Sequence, residues 1–419
     1  MSAPANLRDA LAQALAASPI GQPAGNVTLA RGYLDGKAMH VAFVDNRTAS
    51  GAIGVREAER LAALLRMARI ERAPLVLYLD SAGAKVSEGL DALGAFRHLY
   101  RAGLDALFAG STIAVVLGRN CFGGASMLAF LGRRRLFAPQ TRLGMSGPAV
   151  IAAASGADPL DAAFQAMAEA AMSPAARAKA SILNTEWTPA LDLAAWLRQT
   201  FEPADDDVWH ARARSHDGMV ANLKGGIEPP QWQRVYRPDV ERMYPKGYAL
   251  EEASGVLRGI ARDDAGEIQL VGIVGPRPLD ARRAWHFSET AWKLGLRPAG
   301  ARPERLEVLL DCATHAPSLE DERAMQSQFV VDMAFALAAL ARLGTRVGLT
   351  VLGKAGGGVY VALAAPVERV RAVHGADIQV LPGAAVAAIL GSSREALPSF
   401  DNYRTARVAD EELKLGLAP

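Results

Sequence analysis

Gly118-Arg119-Asn120-Cys121-Phe122-Gly123-Gly124-Ala125-Ser126 lies between two apolar runs, Ile113-Ala114-Val115-Val116-Leu117 and Met127-Leu128-Ala129-Phe130. A β-branched run that ends in glycines predicts a buried strand, a tight turn and a helix start. Backbone N–H groups at such a turn can bind developing negative charge, and the helix dipole adds to that. Glycine removes the Cβ that would hold a ligand away. Most Gly-Gly turns at a helix start serve only packing or geometry. This one gains meaning because the chain does the same thing again near Gly357.

The recurrence is ordered. Leu79-Asp80 and Leu310-Asp311 each end an apolar run and precede a turn of small residues and a long alanine-rich segment. Val115-Val116-Leu117-Gly118 leads to Gly123-Gly124, and Leu349-Thr350-Val351-Leu352-Gly353 leads to Gly357-Gly358. Asp80 to Gly124 spans 44 positions and Asp311 to Gly358 spans 47. Gly124 lies 24 positions before Pro148, and Gly358 lies 24 before Pro382. Three landmarks in one order at near-constant spacing predict two homologous halves. Each half would carry one anion-welcoming turn, an arrangement suited to a substrate with two oxygens to hold. Such donors contribute roughly several kcal/mol each to a transition state.

Between these landmarks the pattern is α/β. Asn6 to Ala17 predicts an amphipathic helix, and Val27–Arg31 and Ala38–Val44 predict strands joined through Asp35-Gly36. A helix over 55–68, a buried strand at Leu75–Leu79, a helix over 90–108 and a short strand at Arg135–Ala138 follow. From about Asn184 to Gln233 the periodicity weakens, with Gly225-Gly226 and Pro229-Pro230 as loop signals. The junction is expected near 215–245, giving domains 1–230 and 231–419. Strand, helix and strand patterns resume at Glu267–Val274, Leu279–Leu294 and Leu306–Leu310.

A chain of 419 residues is long enough for two full cores. With 50% hydrophobic and 21% charged residues and a net charge of +2, nothing argues for a nucleic-acid surface. Two distant cysteines, Cys121 and Cys312, exclude a disulfide framework and a four-cysteine zinc module. No signal-peptide core or spanning apolar stretch stands out, so the reading is cytoplasmic and soluble, with no membrane partner.

Asp80-Ser81-Ala82-Gly83-Ala84-Lys85-Val86-Ser87-Glu88-Gly89 resembles the Asp-Ser/Thr-Gly-Gly-Ala-Arg-x-x-Glu-Gly motif of acyl-CoA carboxyltransferases, in the crotonase superfamily. Leu143-Gly144-Met145-Ser146-Gly147-Pro148-Ala149-Val150-Ile151 is similar to their Leu-Gly-x-Ser/Ala-Gly-Pro-x-Val-Ile turn. Cys121-Phe122-Gly123-Gly124 resembles the β subunit of biotin-independent malonate decarboxylases. Asp311-Cys312-Ala313-Thr314-His315-Ala316-Pro317 and Gly356-Gly357-Gly358 resemble the γ subunit. The resemblance covers about 27–155 and 265–390, as if β and γ subunits were fused. Ala82, Lys85 and Ala313-Thr314 depart from the family motifs. If the family glycine at Thr314 uses φ > 0, threonine must strain or turn differently.

The resemblance implies two tandem α/β domains of the ClpP/crotonase β-β-α superhelix type. It also implies loss of CO2 from a malonyl thioester. The enolate oxygen would be held by N–H groups of Gly83 or Ala84 with Gly123 and Gly124. The departing carboxylate would be held by Gly357 and Gly358. Cys121, Phe122, Ser146, Gly147, Pro148, Gly356 and His315 would line the substrate sites, with no metal. Cys121, Ser146, Glu88 and His315 are the proton-donor candidates, with water as the alternative. No cofactor is expected beyond a phosphopantetheine-type arm supplied by an acyl carrier protein or CoA. Implied partners are an acyl carrier protein subunit, an acyltransferase subunit and a second copy in a homodimer. The rival expectations are a biotin-dependent carboxyltransferase component and a non-catalytic carrier-binding subunit. A one-pocket hydratase or thioesterase is disfavoured by the second glycine turn.

Overall fold

The computed structural model describes residues 6–203, 207–381, 386 and 397–416. Of the repeat landmarks, Pro382 and its neighbours Gly383, Ala384, Ala385 and Ala387 lie outside the described residues. The chain divides into two compact units. The first comprises Met1–Glu88, His98–His210 and Pro317–Gln328, the second Gly89–Arg97, Ala211–Ala316 and Phe329–Pro419. Between His210 and Ala211 the chain passes from the first unit to the second, and the helix Val208–Met219 is tied to second-unit side chains. Its His216 bonds Asp332 and Glu289. Arg97 likewise bonds the Ala364 carbonyl and Asp410, so its short segment counts with the second unit.

The first unit is built on an eight-stranded sheet. Its strands are β1 (Ser18–Pro19), β2 (Val27–Leu34), β3 (Lys37–Val44), β4 (Leu75–Ser81), β5 (Ile113–Phe122), β6 (Arg134–Phe137), β7 (Arg142–Gly144) and β8 (Asn184–Glu186). The order is β1-β2-β3-β4-β5-β6-β8, with β7 also paired to β5. β2 and β3 form the expected hairpin, its two turn residues Asp35 and Gly36 at φ +51° and +76°. Positive φ at both central residues is what a two-residue turn between twisted strands requires. From β3 to β8 the pairing is parallel. Leu75 to Leu79 are all buried, as a strand covered on both faces demands. One face packs Val41, Val76, Val116 and Leu136 against Leu7 and Leu11 of the helix Leu7–Ala14 and Trp196 and Leu197 of the helix Leu193–Phe201. Each fully buried aliphatic side chain there contributes about 1.5–3 kcal/mol.

The second unit repeats this plan with β9 (Gln233–Arg234), β10 (Tyr248–Ala253), β11 (Val256–Asp263), β12 (Gly266–Val274), β13 (Arg305–Cys312), β14 (Arg346–Gly356), β15 (Arg369–Val373), β16 (Asp377–Gln379) and β17 (Glu411–Leu413). The order is β17-β15-β14-β13-β12-β11-β10-β9, with β16 also paired to β14. An antiparallel hairpin feeding parallel strands, a short extra partner on the third strand from the parallel edge and a final parallel edge occur in both units. The tandem β-β-α architecture expected from the sequence is therefore the one present. The β10–β11 hairpin was not expected. Its signal is Ser254-Gly255, at φ +52° and +83°, the same turn chemistry as Asp35-Gly36. The stretch read as loop holds β8 and two helices, one of them started by Asp192, whose side chain accepts from the Ala195 N–H.

Candidate active site

In the first unit β4 and β5 both end beside one another in tight turns. Their parallel register slips after Leu79, so that Ser81 pairs with Cys121. Asp80 fills the slip: its Oδ1 accepts the Asn120 N–H at 3.1 Å, a structural duty for a carboxylate at a strand end. A Cβ at Gly118 would sit 2.6 Å from the Asp80 Cβ, so glycine is needed where the aspartate crosses.

Beyond the slip the chain enters the two turns. Gly83 has φ +99°, and a Cβ there would lie 2.7 Å from the Phe122 carbonyl oxygen and 3.4 Å from Gly123 Cα. Gly123 has φ +54° and ψ −129° and precedes the helix Gly124–Ala129. Of the four backbone donors nominated in this unit, two are engaged. The Gly83 N–H donates to Ser81 Oγ at 3.1 Å, and the Gly123 N–H donates to the Met145 carbonyl at 3.1 Å. In this structure both N–H groups are bonded within the protein, and both glycines shape the turns. The Ala84 and Gly124 N–H groups donate no hydrogen bond among the described residues. Both residues are half-buried, so a small ligand can reach them. Ala82, where the family motif has glycine, is exposed and donates its N–H to the Ser50 carbonyl at 2.9 Å.

The turn Met145-Ser146-Gly147 is held from a distant part of the sequence. Glu322, fully buried, accepts the Met145 N–H at 3.0 Å and the Ser146 N–H at 2.6 Å. Arg177, also buried, stands 3.7 Å from its carboxylate and donates to the Leu143 and Glu322 carbonyls. Burial pushes Glu322 up to about 7, against the opposing pull of Arg177 and the two N–H groups. Sequence reading missed Glu322 and Arg177. Leu319-Glu320-Asp321-Glu322-Arg323 reads as a charged surface turn, and no local pattern marks one of its carboxylates as buried.

The second unit reproduces the backbone of this arrangement. The register slips between Leu310 and Cys312, and Asp311 Oδ1 accepts the Lys354 N–H at 2.8 Å. Gly357 has φ +52°, matching Gly123, and a Cβ at Gly356 would fall 2.7 Å from the Ala313 and Gln379 carbonyl oxygens. An isolated parallel bridge joins Leu279 to His315 as another joins Ile53 to Ala84. Thr314, at the place of Gly83, does not take positive φ, so this turn is built differently, as its β-branch requires. His315 stands where Ala84 stands and is 5% exposed. Gly358 is buried and Gly357 half-buried. The second turn keeps the glycine geometry but is more closed than the first.

The remaining nominated residues divide by exposure. Cys121 is fully buried among core residues, and burial holds its thiol well above its ordinary value. His315 is pushed down to about 4 by burial, which favours the neutral ring at neutral pH. Glu88 accepts the Val55 N–H at 2.7 Å and pairs with Lys85 at 2.8 Å, a helix cap and ion pair. Ser146 is 3% exposed. Phe122 is half-buried, and its ring lies 3.4 Å from where a Gly147 Cβ would be. Pro148 is the first residue of the helix Pro148–Ser155. Among the described residues, one group has metal-ligand spacing: His216, Asp217 and Glu289. Both ring nitrogens of His216 are engaged by carboxylates, Nδ1 with Asp332 at 2.6 Å and Nε2 with Glu289 at 3.1 Å. That is an ion-pair network. No helix among the described residues is long and apolar enough to cross a membrane.

These features define a two-unit α/β protein whose first unit presents two adjoining strand-to-turn junctions with unengaged N–H groups. Residues 5–175 match the model of the Carboxyl transferase domain family. The methylmalonyl-CoA carboxyltransferase 12S subunit of Propionibacterium freudenreichii subsp. shermanii is 27% identical over 136 residues, 32% of this chain and 26% of that protein. The methylmalonyl-CoA decarboxylase subunit alpha of Veillonella parvula is 28% identical over 135 residues, again 32% and 26%. The matched stretch thus spans about a quarter of these curated relatives. A Pseudomonas malonate decarboxylase hetero-dimer has a chain similar to this one at 20% identity and TM-score 0.43, covering 52% of this chain and 94% of that one.

Proposed function

We propose that the first unit holds the enolate of an acyl thioester as a carboxyl group leaves a malonyl-type substrate. The observation that carries this is the pair of unengaged N–H groups, Ala84 and Gly124, on adjoining turns. In the step proposed, the bond between the α-carbon and the carboxylate breaks and its electron pair stays on the α-carbon. Delocalisation places negative charge on the thioester oxygen, CO2 departs, and a proton from water then gives the acetyl thioester. Donors fixed before the charge develops need no reorganisation, and loss of one costs about 10²–10³ in rate. The Gly357-Gly358 turn is a second candidate anion site, its ligand a carboxylate. The substrate arm is of the phosphopantetheine type, on CoA or on an acyl carrier protein, and a decarboxylase of the malonate type is the reading preferred.

The rival reading is that the carboxyl group passes to biotin on a partner, and the Propionibacterium relative, named a carboxyltransferase, is in keeping with transfer of a carboxyl group. The two separate in one assay. Purified protein is incubated with malonyl-CoA and with malonyl-acyl carrier protein, with and without a biotinylated carrier, and CO2 and acetyl thioester are measured. Biotin-independent release supports the decarboxylase. Strict dependence on biotin moves the protein to the transferases, and no turnover in any mixture leaves a binding subunit.

A further inference from the structure

Both backbone polar groups of Gly123 are held in place, and the supports trace to one segment of chain. The Gly123 N–H is bound by the Met145 carbonyl at 3.1 Å, and Met145 and Ser146 offer their own N–H groups to the two oxygens of Glu322. The Gly123 carbonyl accepts from Ser126 Oγ at 2.7 Å. Ser126 Oγ also lies 2.8 Å from Ser327 Oγ. A hydroxyl has one hydrogen, so with that of Ser126 given to Gly123, Ser327 is the donor in this second bond. Glu322 and Ser327 both lie in the stretch Pro317–Gln328, which counts with the first unit although it is 193 positions or more beyond Gly124 in sequence.

The Gly123 conformation, φ +54° and ψ −129°, sets the direction of the next N–H, that of Gly124. Glycine reaches this conformation without steric cost and many others besides, so the hydrogen bonds around Gly123 are what select it. A carboxylate receiving two successive N–H groups makes charge-assisted bonds of fixed direction, roughly twice as strong as neutral ones. We propose that Glu322, seconded by Ser327, is a positioning residue for the Gly124 N–H donor. It touches no substrate and acts through the Met145 peptide. The proposal rests on the reading of the Gly124 turn as an enolate site.

The charged form of Glu322 is the competent one, because a protonated carboxyl is a weaker acceptor and a competing donor. Arg177 on its helix and the N–H groups of Met145 and Ser146 face Glu322 and favour that form; Asp321 beside it opposes. Turnover should therefore rise with pH through about 7.

The test uses the full chain with E322Q, E322D and S327A, malonyl-CoA as substrate, and hydrogen–deuterium exchange of the peptides covering 120–126 and 143–148. Gln keeps the shape but presents an NH2 to one of the two N–H groups. In E322Q, kcat should fall at least about tenfold, towards the roughly 10²-fold cost of one lost oxyanion donor. KM should stay within about threefold, because the ground-state carbonyl leans on the donor less than the enolate does. The acid limb of the pH profile should vanish in E322Q and persist in E322D, and exchange should quicken in both peptides. S327A, the milder change, should lower kcat about three- to tenfold and keeps the test open if the Glu322 variants do not fold. A folded E322Q with wild-type kcat and an unchanged acid limb would overturn the proposal. If the wild type releases no CO2 from any malonyl thioester, the enzymatic reading fails separately. Exchange then decides the role of Glu322, and unchanged exchange in E322Q sinks it.

Discussion

Replacing Gly83 by alanine should uncouple activity from folding. The added Cβ would lie 2.7 Å from the Phe122 carbonyl oxygen, where ordinary contact begins at 3.4 Å. The two turns must separate by about 0.7 Å to admit it. Ala84 rides on one turn and Gly124 on the other, so this displacement acts on the spacing of the proposed donor pair. Alanine at φ +99° adds strain of about 1–3 kcal/mol. For a domain of this size that lowers Tm by about 2–4 °C per kcal/mol. The catalytic loss should be larger, about 10²–10³ in kcat, because hydrogen bonds to a developing oxyanion are steep in distance. Gly36→Ala is the control: φ +76° gives comparable strain at the hairpin tip, with no atom within 4 Å of the new Cβ. CO2 release from malonyl-CoA and calorimetry on both variants make the comparison. The expected pattern is a fall in Tm for both, larger for G83A because it adds the backbone clash, and a fall in kcat for G83A alone. A folded G83A turning over within threefold of wild type would refute the assignment of the Ala84–Gly124 pair.

Two further outcomes follow from buried ionisable groups. Burial alone would lower His216, but its bonds to Asp332 and Glu289 raise it to about 9, while the bond from His216 holds Glu289 down to about 2. The His216 contribution is complete below its ordinary 6.5 and is lost as pH rises through about 9; that of Glu289 is complete above 4.5 and is lost as pH falls towards about 2. Urea denaturation across pH 4 to 10 should therefore place the largest contribution of this pair between about 4.5 and 6.5, and H216A should cost about 3 kcal/mol by removing the cation between two carboxylates, of which Glu289 keeps Lys293 and Asp332 keeps the Trp292 indole N–H. Cys121 and Cys312 are 0% and 1% exposed, and burial raises both thiols. Iodoacetamide at pH 8 should label neither by mass spectrometry until denaturant is added, and rapid labelling of Cys121 in the folded protein would contradict its placement in the core.

Much of this fold is legible in the sequence because its signals are local. Leu75–Leu79 and Ile113–Leu117 announce buried strands by composition, and Asp35-Gly36 announces a hairpin. The repeat shows through glycines, whose positions are dictated by backbone geometry that both units share at Gly123 and Gly357. What escaped lacks that local character. The β10–β11 strands carry Glu251, Glu252, Arg258 and Arg262 among apolar residues and read as an undistinguished polar stretch. Which N–H of each glycine turn is engaged depends on Ser81 and Met145, one within the turn and one on a later loop. Glu322 is invisible for the same reason: its burial is set by Arg177 and the Met145 peptide, far away in sequence.

The late position of Pro317–Gln328 has a consequence for how the protein is made. A chain leaving the ribosome from its N-terminus completes the first sheet by Glu186, yet the residues that fasten the Gly123 turn follow only with Glu322 and Ser327. For well over a hundred residues of synthesis the nascent first unit has its strands but not its fastenings. Cutting the gene at the apparent domain junction would strand it in that state, and a peptide carrying 317–328 is the piece that such a half-protein would have to recover.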